Sequence, residues 1–166
     1  MTTEAKATSV EQLKINEQKW TKPLMDAGWT VMPSVIIDRQ QALGLDAIDV
    51  NILMHLAMYW WTPDNKPHPS KATIAAALGI EPRSVQRRIA RLEKAALIQR
   101  EIRGTGPYGS MTNRYSFAGL IKEATPFAQA RIEEIEAKRE VSRARAARKG
   151  MAPSKAKLTL VKTTEA

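Results

Sequence analysis

The chain has 166 residues, of which 43% are hydrophobic and 5% aromatic, and it carries a formal net charge of +9. This length predicts one domain with extensions, and the charge predicts a polyanionic partner, with nucleic acid ahead of an anionic membrane. The absence of cysteine excludes a disulfide framework and a thiolate metal site. No apolar run approaches the length of a membrane span and no signal-peptide pattern opens the chain, so we expect a cytoplasmic protein.

The first 28 residues are predicted to form an N-terminal extension. Residues 1–19 are polar and lack clear helix boundaries, so we expect this part to be disordered or loosely helical. Trp20, Trp29 and Met32 follow, and we expect them to cover the apolar core of a domain that begins at residue 29.

Two helices are predicted between residues 34 and 60. The first, SVIIDRQQALG, is short and ends at Gly44. Asp46 is a typical N-cap for the second, which should continue to about Trp60. Its apolar residues repeat with a period near 3.6 and form a stripe of Ile48, Ile52, Leu53, Leu56 and Trp60. The three prolines of the next segment, TPDNKPHP, end this helix.

Residues 69–95 predict a helix, a tight turn and a second helix. The Ser70 hydroxyl can accept one of the unpaired N–H groups of the first helical turn. Gly79 follows Leu78, where a residue without Cβ readily adopts the left-handed conformation that ends a helix. Pro82 suits the first turn of the second helix, because its missing N–H would have been unpaired there.

The second helix, residues 82–95, has two chemically different faces. Val85, Ile89 and Leu92 recur at helical spacing and should be buried. Arg83, Arg87 and Lys94 point the opposite way, with Gln86 and Arg91 on the flanks and Arg88 nearer the buried edge. Guanidinium and amide groups on an exposed helix are typical of major-groove readers, because they can bond guanine or adenine bidentately.

A β-hairpin is predicted after this helix. Residues 97–103 form the first strand, residues 104–110 reverse the chain, and residues 113–117 return as the second strand. Tyr115 and Phe117 should share one face of that strand.

This order of elements resembles the winged helix-turn-helix family found in phage and plasmid replication proteins and in related bacterial regulators. The resemblance spans roughly residues 29–120, and the segment that carries it is PSKATIAAALGIEPRSVQRRIARLEKAALIQR. It implies a mostly α fold with a small β-hairpin over residues 29–123, double-stranded DNA as partner, and a location in the bacterial cytosol or nucleoid.

A long basic C-terminal helix is predicted over residues 124–149. Residues 118–123 should be a connection, and Pro126 should lie at the helix start. Acidic residues lie near its beginning and arginines near its end, which suits the helix macrodipole. The helix could be a solvated arm, a second nucleic-acid contact or a homodimer contact. Residues 150–166 are expected to form a flexible basic tail.

The candidate DNA-binding residues lie on the two helices and on the hairpin, or wing. Lys71 should lie over the DNA backbone and Ser84 near a helix N-terminus that favours phosphate. Arg103 and Arg114 lie at the base of the wing and Tyr108 near its tip, where phosphate contacts are common. The full set is Lys71, Arg83, Ser84, Gln86, Arg87, Arg88, Arg91, Arg103, Tyr108 and Arg114.

Enzymatic signatures are not apparent. His55 and His68 lack companions at metal-ligand spacing, and neither a P-loop nor a dinucleotide fingerprint occurs. We therefore expect no cofactor, no metal and no enzymatic activity.

The predicted function is sequence-specific binding of double-stranded DNA by a transcriptional regulator. Residues 82–95 would lie in the major groove, and the wing, residues 98–117, would lie on the backbone or minor groove. The alternatives are a plasmid or phage replication initiator or accessory factor, and a non-enzymatic adaptor whose basic tail binds acidic partners.

Overall fold

The computed structural model describes residues 3–106 and 109–150. The chain separates into two compact units, Met1–Pro126 and Phe127–Ala166. In chain order the elements are α1 (Thr3–Trp20), α2 (Lys22–Asp26), α3 (Ser34–Asp38), α4 (Ala47–Ala57), α5 (Lys71–Leu78), α6 (Pro82–Lys94), β1 (Gln99–Glu101), β2 (Thr105–Gly106), β3 (Gly109–Ser110), β4 (Arg114–Ser116) and α7 (Ala118–Gly150). Within the described ranges, no helix combines the length and the hydropathy that crossing a membrane requires.

The core of the first unit is mostly aliphatic, and its centre lies between α4, α5 and α6. Ile52, Leu53 and Leu56 of α4 are fully buried, and so are the residues of the inner face of α6, which are Val85, Ile89 and Leu92. Burying one face of each helix removes apolar surface from water and orients the opposite face outward. The predicted phase of the second helix is therefore confirmed.

Local capping signals define where the helices begin and end. The Ser70 Oγ accepts the Thr73 N–H at 2.9 Å and caps α5. Gly79 has φ +65° and ends α5 in the left-handed conformation. Pro82 occupies the first turn of α6. The tight turn between α5 and α6 thus follows from Gly79 and Pro82, two residues whose backbone preferences agree with it.

Two short antiparallel ladders form the wing. In the first, β1 pairs with β4, and Arg100 lies opposite Tyr115. In the second, Thr105 pairs with Ser110 nearer the tip. The buried Tyr115 also donates its backbone N–H to the Pro67 carbonyl at 2.9 Å, so the loop before α5 joins the hairpin. The mostly α fold with a small β-hairpin and a winged helix-turn-helix domain is confirmed.

The predicted helices before α5 are longer than the observed ones. The helix expected to reach Gly44 ends at Asp38, and the one expected to reach Trp60 ends at Ala57. Both ends of the predicted apolar stripe are exposed, with Ile48 at 41% and Trp60 at 38% exposure. Periodicity identified an apolar stripe, but it could not show that the middle is fully buried while Ile48 and Trp60 stay partly exposed, Trp60 with its ring stacked on Phe117.

The N-terminal extension, whose residues 1–19 were expected to be disordered or loosely helical, contains two helices, α1 and α2. Trp20 and Trp29 were expected to cover the core, yet they are 61% and 50% exposed. At least half of each residue is open to solvent, so the prediction of core coverage is wrong for both.

Helix α7 begins at Ala118, eight residues before the expected start at Pro126. Its first turn is held by tertiary contacts, because the Leu120 N–H donates to the Leu97 carbonyl at 2.7 Å and Leu120 is buried. Pro126 lies inside the helix, where its ring and missing N–H are normally unfavourable. Packing of the preceding turn therefore outweighs the sequence signal that placed a connection at residues 118–123.

The second unit contains the remainder of α7, and its residues 129–147 are all exposed. Ile132, Ile135 and Val141 are among them. The predicted tail falls almost entirely on residues 151–166, outside the described residues, and the predicted domain boundaries remain predictions.

Candidate nucleic-acid interface

The outer face of α6 presents a group of polar side chains. Arg83, Gln86, Arg87 and Lys94 are exposed, while the opposite face of the same helix is buried. Ser84, in the first turn, accepts a hydrogen bond from the Arg87 Nη2 at 3.2 Å. This bond lies at the helix N-terminus, where the macrodipole and free backbone N–H groups favour an anion.

A groove runs along the side of α6 and has a volume of about 430 Å³. Its lining, here named the arginine groove, consists of Ile48, Ile80, Ser84, Arg87, Arg88 and Arg91. Three guanidinium groups thus face one concave surface. Such a surface can accept phosphate oxygens or base edges, and the exposed Ile48 adds an apolar contact.

Two of these arginines are engaged by carboxylates at the start of α4. Arg88 bonds Asp46 through Nη1 and lies 3.4 Å from Oδ1 of Asp49. The Arg91 Nη1 lies 3.2 Å from Asp46 Oδ2 and 3.0 Å from Asp49 Oδ2. The Arg91 Nη2 also donates to the Gly44 carbonyl at 2.9 Å. We call Asp46, Asp49, Arg88 and Arg91 the α4–α6 clamp.

The carboxylates of the clamp also cap α4. The Asp46 Oδ1 accepts the backbone N–H groups of Ile48 and Asp49, each at 3.0 Å. In return, Asp49 Oδ2 accepts the Asp46 N–H at 3.2 Å, which completes a capping box. Each carboxylate therefore serves both the end of α4 and an arginine of α6.

The clamp alters the electrostatics of its members. Partial burial acts to raise the pKa of the Asp46 carboxyl, but bonds from the Asp49 N–H and from Arg88 hold that pKa below its usual value. The hydrogen bond to Asp46 raises the pKa of Arg88. Both groups thus stay charged over the whole neutral range.

Lys71 and Gln86 connect the two helices of the helix-turn-helix. The Lys71 Nζ donates to the Gln86 Oε1 at 3.1 Å. This bond occupies one acceptor of Gln86 and leaves its NH₂ group to face outward. Lys71 and Gln86, predicted separately as contacts, therefore form one pair.

A second concave surface joins α5 to the wing and has a volume of about 250 Å³. Ser70 and Lys71 line it on one side, and Thr112, Asn113 and Tyr115 line it on the other. We call it the wing pocket. A lysine amine, a hydroxyl and an amide around one hollow are suited to a phosphate oxygen.

The predicted wing residues lie in different environments. Arg103 is engaged within the wing, with Nε donating to the Thr112 carbonyl at 2.6 Å and Nη2 to the Thr112 hydroxyl at 3.0 Å. Arg114 is half-buried and lies opposite Glu101 in the ladder. Tyr108 lies outside the described residues. The structure thus brings together the α5 and α6 candidates, and it places Arg103 as a brace of the hairpin.

Sequence reasoning missed four features of this surface: the pairing of Asp46 and Asp49 with arginines, the exposure of Ile48, the lining role of Ile80, and the amide of Asn113. The Asp-x-x-Asp spacing before an apolar run could have indicated a capping box. The partners of those carboxylates could not have been found, because Asp46 and Arg88 are 42 residues apart. In the described ranges, no group of three or more His, Asp or Glu side chains could hold a metal ion.

The first unit has the fold of a winged helix-turn-helix domain. Comparison with known families agrees, since residues 43–98 match the model of a helix-turn-helix domain. That match covers α4 and the helix-turn-helix and ends one residue before β1, and it spans about a third of the chain. The expected resemblance to replication proteins finds no support in it.

Two further comparisons, with solved structures and with curated proteins, add little. The crystal structure of the YusO protein from Bacillus subtilis aligns with 92% of this chain and 100% of its own, at 15% identity and a TM-score of 0.39. That likeness is too remote to bear on fold or function. The search of curated proteins gave no match.

Proposed function

We propose that this chain binds double-stranded DNA in a sequence-specific manner and acts as a transcriptional regulator. Helix α6 would enter the major groove, and the wing would contact the backbone or the adjacent minor groove. The helix-turn-helix match over residues 43–98 and the net charge of +9 support a nucleic-acid partner. A location in the cytoplasm is part of this proposal.

The observation that carries the proposal is the division of α6 into two faces. Val85 and Ile89 have no exposed surface, so packing in the core decides which face of the helix is buried and sets the approximate rotation of α6. That rotation leaves Arg83, Gln86 and Arg87 on the outside. A rigid helix with side chains that can bond bases bidentately meets the geometric need of direct readout.

Phosphate contacts would set the register of that helix. Lys71, Ser70 and Asn113 line the wing pocket beside α5, and Ser84 lies at the N-terminus of α6. Contacts of this kind position a protein on the duplex but carry no sequence information. We propose that these residues orient α6 in the groove, and that Arg114 and Tyr108 add wing contacts.

The decisive experiment is selection of bound sequences from a random duplex pool. We expect a defined site for the full chain, and loss of that site when Arg83 and Arg87 are both replaced by alanine. A matched control replaces Lys138 and Arg139, which lie on the exposed α7, and removes the same charge. Enrichment of no sequence by the full chain would contradict the proposal.

Footprinting then separates the biological roles. Protection of the DNA upstream of the protein's own coding region supports a regulator. Protection of repeated sites in a candidate replication origin supports an initiator instead, and protection of neither supports the adaptor. The selected site also reports on assembly, because a homodimer reads two half-sites about 34–36 Å apart.

A further inference from the structure

The α4–α6 clamp contains the buried charged side chain of the described core, Asp49, which has 0% exposure. Two guanidinium groups of α6, from Arg88 and Arg91, approach it and its neighbour Asp46. Both carboxylates belong to the first turn and cap of α4, so they are themselves held by backbone N–H groups. The clamp thus joins a fixed point on α4 to two side chains one turn apart on α6.

An arrangement of this kind contributes more to geometry than to stability. Removing a carboxylate from water costs several kcal/mol in principle, and the attraction to its partners offsets much of that cost, so a buried ion pair often adds little net stability. Its directional bonds nevertheless restrict the rotation and the axial position of α6 relative to α4. The apolar contacts of Val85 and Ile89 are not directional: they bury one face of α6, and the ion pairs add bonds with a preferred direction.

The geometry also restricts which arginines are available to DNA. Arg91 is 51% exposed, yet its guanidinium bonds two carboxylates and the Gly44 carbonyl. Arg88 is 29% exposed and bonds the same two carboxylates. A bidentate base contact from either would compete with those bonds, and breaking them would leave the buried Asp49 carboxylate without that partner.

From these observations we infer that Asp49, together with Asp46, is a positioning residue for the recognition helix. Through Arg88 and Arg91 it holds α6 at the rotation that presents Arg83, Gln86 and Arg87 to the bases. Arg88 and Arg91 then serve sequence readout indirectly. This inference rests on the proposed function, and it assigns base reading to the N-terminal half of α6.

A double-mutant cycle on the full chain tests it. The variants are Asp49→Asn, which keeps the shape and an acceptor but removes the charge, Arg91→Gln, and the two combined. The measured quantity is discrimination, the ratio of affinity for the selected duplex to affinity for a random duplex. We expect each single variant to lower discrimination about tenfold, within the range found for coupled neighbours, and the double variant to lower it no further.

A direct base contact by Arg91 predicts a different result, in which the two losses multiply to about a hundredfold. That outcome would overturn the inference and leave the proposed function standing. A lower melting temperature with unchanged discrimination would assign the clamp to stability alone and would also overturn the inference. If the wild-type chain shows no discrimination, the proposed function fails and the inference fails with it.

Two controls keep the test informative. Lys94→Ala removes an exposed cation from the same helix and should leave discrimination unchanged. If Asp49→Asn does not fold, the cycle is run with Asp46→Asn, whose side chain is 43% exposed and tolerates substitution more readily.

Discussion

Replacing Arg87 by alanine should weaken specific binding and relax base preference at one position of the site. Arg87 is exposed on the outer face of α6 and lines the arginine groove beside Ser84. Its bond to the Ser84 Oγ is long, at 3.2 Å, and lies at the surface, so a DNA base can displace it at small cost. Arg87 is therefore the groove arginine whose guanidinium is most easily released to DNA.

The expected magnitude follows from the chemistry of base recognition. A bidentate arginine–guanine pair contributes about 1–3 kcal/mol of discrimination, which corresponds to about 5- to 140-fold in affinity. The fold should be almost unaffected, because a surface substitution away from the core changes stability by about 0.5 kcal/mol or less. Loss of affinity with an unchanged melting temperature is the expected combination.

The assay is a titration of wild type and Arg87→Ala against the selected duplex, a set of single-base variants and a random duplex. Only the variants at one position should become equivalent in the mutant. The charge-matched control Lys94→Ala should shift affinity for all duplexes alike. Equal losses of Arg87→Ala on specific and random DNA would show a phosphate contact, and the assignment of Arg87 as a base reader would then be wrong.

Four other changes test the fold, the charge distribution and the clamp. Ile89→Asp should unfold the first unit, because Ile89 has 0% exposure and a carboxylate there would be buried without a partner. A native circular dichroism spectrum of this variant would contradict the predicted helix phase. The control is Ile89→Val, which should lower the free energy of unfolding by only about 1 kcal/mol. Gly119→Ala should lower the melting temperature, because a Cβ there would lie 1.8 Å from the Ala96 carbonyl oxygen, whereas Gly104→Ala meets nothing within 4 Å and should be neutral. Deleting residues 137–166 should lower non-specific affinity for DNA and flatten the salt dependence of binding, by about 0.9 in the log–log slope for each phosphate that the shortened protein no longer neutralises. An unchanged slope would exclude DNA binding by this segment. A changed sequence preference, or a dimer-to-monomer switch in light scattering, would indicate that the segment has a role in assembly. The last change is in pH. The pKa of the Asp46 carboxyl is lower in the folded than in the unfolded protein. The stability that the ionised Asp46 contributes is therefore complete above the pKa of an unfolded carboxyl, about 3.9, and is lost as the pH falls through the pKa of the folded state. The free energy of unfolding of Asp46→Asn, which keeps Asp49, Arg88 and Arg91, should therefore fall less steeply with decreasing pH than that of the wild type. Identical curves for the two proteins would show that Asp46 adds no pH-dependent stability.

Much of the helix-turn-helix was determined by the sequence itself, because its signals are local. A cap such as Ser70 bonds a backbone group three residues away, and Gly79 ends a helix through its own φ. The burial of Val85, Ile89 and Leu92 follows from spacing within one helix. Caps, helix ends and the buried face of a helix all depend on residues a few positions apart, so they can be predicted from the sequence alone.

The limits of α7 and of the apolar stripe were decided by tertiary packing. Pro126 is an unfavourable interior residue, yet the helix runs through it because the preceding turn is anchored at Leu120. Trp20 and Trp29 are apolar and large, yet they remain exposed. Whether an apolar residue is buried depends on which other element reaches it, and that is not encoded in its own spacing.

The same distinction holds within the candidate site. The sequence alone placed Arg83 and Arg87 on the outer face of one helix, Gln86 and Arg91 on its flanks and Arg88 nearer the buried edge. It predicted a DNA contact for all five. The three-dimensional structure separates them, since Arg88 and Arg91 meet the carboxylates of Asp46 and Asp49 while the others face outward. Whether an arginine of this helix is bonded within the protein or exposed to a ligand depends on carboxylates about 40 residues away in the sequence. Only folding brings those carboxylates within bonding distance.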